Sequence, residues 1–123
     1  MIQKFIKRFF KNEEVIKSKL AAASYLNYKD IVKIVVDAIE KNDYDEPKAY
    51  TLQKVTFGSY QGVNYYFFGD DSGDNIWYVS LDYGSCSVCD TLCSILDMQN
   101  KQERDADLFT FALHIVQSIK EFY

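Results

Sequence analysis

Trp77-Tyr78-Val79-Ser80-Leu81-Asp82-Tyr83-Gly84-Ser85-Cys86-Ser87-Val88-Cys89-Asp90-Thr91-Leu92-Cys93 reads in two halves. In the first, Trp77, Val79, Leu81 and Tyr83 fall on one side of an extended chain, the period of a strand with a buried face. In the second, all three cysteines of the chain fall within one strand-to-helix turn. The first half predicts the last strand of a sheet, and the second a metal knuckle that ties this strand to the helices after it.

The chemistry of the knuckle follows from size and spacing. Two thiolates at C-x-x-C spacing chelate one ion from a tight turn, and Gly84, Ser85 and Ser87 are small enough to let the backbone fold toward it. Cys93 lies four residues past Cys89, so a helix starting near Val88 would set both on one side. A tetrahedral zinc takes four ligands, and His114 is the one imidazole in the chain. The expected site is therefore Cys86, Cys89, Cys93 and His114 around a structural zinc. Cys86 and Cys89 form its firm pair, and a carboxylate from Asp90 or Asp82 is chemically acceptable in place of Cys93. The plainer readings are a buried cysteine acting as a small hydrophobe and a histidine merely exposed. Clustering of every cysteine within eight residues weighs against them.

Upstream, the two-residue period extends back to Tyr50, with Val55 and Phe57, then Val63, Tyr65 and Phe67, on single faces. This predicts a three-stranded antiparallel meander. Its turns are a short hairpin at Gly58-Ser59-Tyr60-Gln61-Gly62 and a longer acidic one from Gly69 to Asn75. Consecutive aromatics at Tyr65, Tyr66, Phe67 and Phe68 load both faces of the middle strand, so either both are covered or one binds a partner.

Helical periods flank the sheet. Ile2, Phe5, Ile6, Phe9, Ile16 and Leu20 alternate with basic residues, as one helix or as two meeting near Asn12, a plausible cap before Glu13 and Glu14. Such a basic amphipathic segment lies on a membrane, grips an acidic partner or docks on the domain, and docking is the expected outcome. Asn27 and Asp30 open a second helix with Ile31, Ile34, Val35, Ala38 and Ile39 as its stripe. Glu40, Asp43, Asp45 and Glu46, broken by Pro47, read as a solvated loop. After the knuckle come a short helix through Leu92, Ile95 and Leu96 and a closing helix from about Glu103 to Phe122. In that helix His114 stands about 160° from the middle of the apolar stripe, pointing away from the core. The pattern is an α+β domain over residues 1–123: N-terminal helices, a three-stranded meander and two C-terminal helices, joined by a zinc knuckle.

The net charge of −4 hides an asymmetry, because residues 1–20 carry six bases against two acids and the rest carry eight against sixteen. An acidic body repels nucleic acid and attracts basic proteins, including those that themselves bind nucleic acid. Asp70, Asp71 and Asp74, with Asp43, Asp45 and Glu46, are the candidate partner contacts. Neither a membrane span nor a signal peptide is indicated, and clustered cysteines point to a reducing compartment, so the expected location is the cytoplasm.

Other chemistries fit the residues less well. A thioredoxin-like site also runs strand, C-x-x-C, helix, but here the strand ends an antiparallel meander and the sole proline lies far upstream. A catalytic zinc keeps an open ligand position, whereas three thiolates and an imidazole close the site and weaken the ion as a Lewis acid. The acidic turn at 70–75 lacks the spacing and closing Glu of a calcium loop. No nucleophile elbow or phosphate-cradling loop occurs, and the chain reads as a non-enzyme.

Tyr83-Gly84-Ser85-Cys86-Ser87-Val88-Cys89-Asp90-Thr91-Leu92, followed by Leu113-His114-Ile115-Val116-Gln117, resembles small phage and prophage proteins with a Y-G-S-C-S-x-C-D motif. Cys93 departs from that pattern. The size, acidic body and missing catalytic motif also resemble phage-encoded anti-CRISPR inhibitors, among which Cas9-directed members include metal-binding ones. The resemblance implies a zinc-stabilised inhibitor acting in the host cytoplasm. It would bind Cas9 or its guide RNA complex and block target DNA loading or cleavage without touching nucleic acid directly. A phage structural or replication accessory module that assembles through its aromatic sheet is the alternative, with a small zinc-dependent enzyme as a third class.

Overall fold

Antiparallel pairing in chain order organises the molecule. The computed structural model describes residues 2–58, 62–83 and 91–122. Strands β1 (Gln53–Gly58), β2 (Gly62–Gly69) and β3 (Ile76–Tyr83) form the expected meander. A fourth strand, β4 (Lys120–Glu121), pairs Glu121 with Trp77 and Lys120 with Tyr78 along the far side of β3. The sheet is therefore four-stranded, and the closing helix stops short of Phe122. Its backbone gives way at Ser118, whose amide bonds back to the His114 and Ile115 carbonyls. Two residues later the chain pairs with β3 instead, which protects an edge that three strands alone would leave open.

Among the described residues five α-helices accompany the sheet: α1 (Ile2–Lys11), α2 (Glu13–Ala22), α3 (Tyr28–Ile39), α4 (Thr91–Leu96) and α5 (Lys101–Gln117). The basic N-terminal segment is two helices, and its apolar stripe is docked, with Phe5, Phe9, Ile16 and Leu20 buried. Asn12 separates them but does not cap α2 through its side chain. Its amide instead donates to the Arg8 carbonyl at 3.0 Å and to the Ala38 carbonyl at 2.9 Å, joining the α1–α2 corner to the end of α3. Asn27 does cap α3: it accepts from the Asp30 amide at 2.8 Å while Asp30 accepts from the Asn27 amide at 3.0 Å, a reciprocal capping box. Asn100 accepts from the Glu103 amide at 3.1 Å and opens α5 two residues before the expected start.

The inner face of the sheet carries Tyr66, Phe68, Trp77 and Val79, all buried. The register sets Tyr66 opposite Val79 and Phe68 opposite Trp77. Above them lie Phe5 and Phe9 of α1, the α3 stripe widened by Val32 and Val36, and Leu108, Ala112, Ile115 and Val116 of α5, in one core cluster. Phe5 meets Trp77 edge-on at 5.9 Å, and Phe68 stacks on Trp77 at 6.0 Å. Arg104 is buried beside this core because its guanidinium donates to the Ala23 carbonyl at 2.9 Å and to Asp105 at 3.0 Å. Among the described residues no helix is long and apolar enough to cross a membrane.

Candidate functional site

A strand sends successive side chains to opposite faces, so the residues between the core positions form a second set. On β2 and β3 these are Val63, Tyr65 and Phe67 with Tyr78 and Ser80, and β1 adds Val55 and Phe57 by pairing them with Tyr65 and Val63. Phe122 joins from the segment after β4, held by its amide bond to the Ile76 carbonyl at 2.7 Å. The result is a ladder of five rings. Phe57 lies 5.6 Å from Tyr65, Tyr65 lies 6.4 Å from Phe67, Phe67 lies 5.8 Å from Tyr78, and Phe122 closes on Phe67 at 5.4 Å. No described helix covers this face: Phe57 is 60% exposed, Phe122 55% and Val55 42%.

The sequence reading anticipated rings on both faces of β2 but missed Tyr78 and Phe122. Tyr78 alternates with Trp77 and Val79, the core positions of its strand, and so falls on the outer face opposite Phe67. Phe122 falls within the expected span of the closing helix, but the structure ends that helix at Gln117 and carries the chain into β4.

The two acidic loops meet at one end of the same sheet. Lys48, itself buried, donates through its amide to the Gly69 carbonyl at 2.9 Å. Its ammonium donates to the Asp43 and Glu46 carbonyls at 2.5 and 3.0 Å and approaches Asp71 at 3.9 Å. The candidate acids separate into two groups. Glu46, expected on a solvated loop, is only 8% exposed. It takes a bidentate grip from Arg8 at 2.6 and 3.1 Å and a bond from Lys4 at 3.1 Å, which fastens α1 to the loop. Hydrogen bonding from the Arg8 guanidinium, joined by Lys4, outweighs burial and holds the Glu46 carboxyl down at about 2. Asp70 is also buried, accepting from the Gly73 amide at 2.8 Å and the Asn75 side chain at 2.7 Å. Burial alone would raise its carboxyl, but bonds from Asn75, Ser72 and Gly73 keep it below the ordinary range. Gly73 takes φ +78° to make that turn, a conformation open to glycine at little cost. These two acids are internal fastenings. Asp43, Asp45, Asp71 and Asp74 remain at the surface, with Asp71 accepting from the Tyr50 hydroxyl at 2.5 Å.

The knuckle is placed only in part. Cys86, Cys89 and the alternative ligand Asp90 lie outside the described residues, as does the expected helix start near Val88. Cys93 is exposed on α4, Asp82 is exposed on β3, and His114 is exposed in the last turn of α5, away from the core as anticipated. Among the described residues no three His, Cys, Asp or Glu side chains gather as a metal site. Cys93 also lines a cavity of about 400 Å³ at the end of the sheet opposite the acidic loops, shared with Tyr28, Lys54, Thr56, Asn64 and Tyr83. Cys93 and His114 both stand at the surface outside the core cluster, and a thiol and an imidazole are donor types that zinc takes.

No protein-family model, no curated protein and no solved structure matches this chain.

Proposed function

We propose that this protein works by binding another protein through the outer face of its sheet, with the exposed acids of the neighbouring loops as a charged rim. The observation that carries this reading is the five-ring ladder, an apolar patch left uncovered on a sheet whose opposite face buries Tyr66, Phe68, Trp77 and Val79 beneath the helices. Aromatic anchors at the centre with polar residues at the edge are the usual anatomy of a protein interface. A single-stranded nucleic acid also stacks on aromatic sheets, but it requires a basic groove along its phosphates. Here, among the described residues, the ladder is flanked by one cation, Lys120 beside Tyr78, and by Asp82 beside Val63, and the acids Asp71 and Asp74 lie beyond its end.

The partner that the phage-protein resemblance implies is a host Cas9 or its guide RNA complex, whose basic channels for nucleic acid attract an acidic domain. Binding there obstructs DNA loading or cleavage without turnover by the inhibitor. Zinc held by Cys86, Cys89, His114 and Cys93 or a carboxylate has a structural role in this reading: it links the end of β3 to α4 and α5, and as a bound cation it favours the thiolate form of its ligands.

The test is a cleavage assay of Cas9 with guide RNA and target DNA under excess protein, beside Phe67→Asp and Phe122→Asp variants checked for folding. Inhibition by the wild type and its loss in both variants is the expected result. Uninhibited cleavage removes Cas9 as partner, and inhibition retained by both variants removes the aromatic face as the contact. Elemental analysis should find zinc bound to the wild-type chain and lost after Cys86→Ser with Cys89→Ser.

A further inference from the structure

The two edges of the sheet are treated differently. β3 is shielded by β4, whereas among the described residues β1 has a partner on one side only, and all six of its residues are exposed. Its defences against further pairing are few: one charge at Lys54, no proline, and, among the described residues, no helix laid over it. Lys54 makes no ion pair among the described residues.

We infer that β1 pairs with β1 of a second copy, antiparallel about a two-fold axis through Thr56, to make one continuous eight-stranded sheet. A symmetric antiparallel pairing sets residues opposite each other whose numbers have a constant sum, so only a few registers exist. Centring on Lys54 opposes two ammonium groups. Centring on Val55 sets Phe57 against Gln53. Centring on Thr56 sets Val55 against Phe57 twice and Lys54 against Gly58, leaving the small Thr56 on the axis. That register alone gives two apolar cross-strand pairs and no like-charge contact.

Both apolar pairs fall on the outer face, because Val55 and Phe57 oppose Tyr65 and Val63 there. A two-fold axis normal to the sheet keeps the outer faces of the two copies on the same side. The two ring ladders then run into one surface, and a partner with repeated sites gains avidity from it. The interface is small, so association in the micromolar range is expected. This pairing does not depend on which partner the face binds.

Sedimentation velocity over micromolar to millimolar concentrations tests it on wild type, Val55→Lys, Phe57→Glu and an equimolar mixture of the two variants. Each variant alone should associate about tenfold more weakly or worse, since each loses both apolar pairs. The mixture should recover, because the ammonium introduced at 55 then faces the carboxylate introduced at 57 while the native Val55 and Phe57 pair on the other side of the axis. Amide exchange over 53–58 should slow as wild-type concentration rises, a reading that needs no variant. A wild type that stays monomeric, self-association unaffected by either variant, exchange independent of concentration, or a mixture that fails to recover each overturns the proposal.

Discussion

The two faces of β2 carry nearly the same residues and do opposite work. Tyr66 and Phe68 point inward and are 1% exposed, while Tyr65 and Phe67, their immediate neighbours, point outward and are half-buried against each other and against Phe57, Tyr78 and Phe122. Aromatic content alone therefore says nothing about role in this strand. What separates the faces is the helical layer: Phe5, Phe9 and the stripes of α3 and α5 cover one and leave the other to solvent or a partner.

The comparison breaks most visibly on truncation. Phe68→Ala should cost about 3–5 kcal/mol in urea unfolding, because it removes a stacked ring from the core. Phe67→Ala should cost about 1 kcal/mol or less while weakening partner binding, so equal losses at the two positions would dissolve the distinction.

The acidic residues repeat the contrast between inward and outward. Glu46→Gln should lose on the order of 3 kcal/mol near neutral pH, the linkage value of a carboxyl lowered from 4.5 to about 2. The sign follows from the lowered value. The contribution is complete above the unfolded carboxyl range near 4.5 and disappears as pH falls toward about 2, so the variant should flatten that part of the wild-type urea-midpoint profile. Asn27→Ala should cost about 1 kcal/mol by removing one half of the α3 capping box. The smallest change is expected at Asp74→Asn, within about 0.5 kcal/mol of wild type in stability, and any effect there should be on association with a basic partner. A large stability loss at Asp74 would place it with Asp70 as a fastening of the turn.

Local patterns were sufficient where one element's own residues decide its state. The α3 cap, the meander and the outward aim of His114 could be read from spacing because each depends on residues within a turn or a strand. Gly62 was likewise legible as a turn residue, and a Cβ there would collide with the Phe57 carbonyl. Asn12 and Glu46 misled for one reason: cap and loop chemistry assume solvent around the side chain, and here Ala38 and Arg8, distant in sequence, supply the partners. β4 was invisible because a two-residue strand has no period, and only the β3 edge beside it makes Lys120 and Glu121 extended. Of the four expected zinc ligands, Cys86 and Cys89 fall outside the described residues, and Cys93 and His114 are exposed on α4 and α5.

By itself the sequence determined which residues alternate and which repeat helically, and hence an α+β chain with a meander between helices, because these periods are local steric facts. Only the tertiary structure decided which face of the sheet is core and which is surface. That choice belongs to the helices: burying one row of rings beneath them removes its apolar area from water, and the register of a strand then forces the alternate row to the other side.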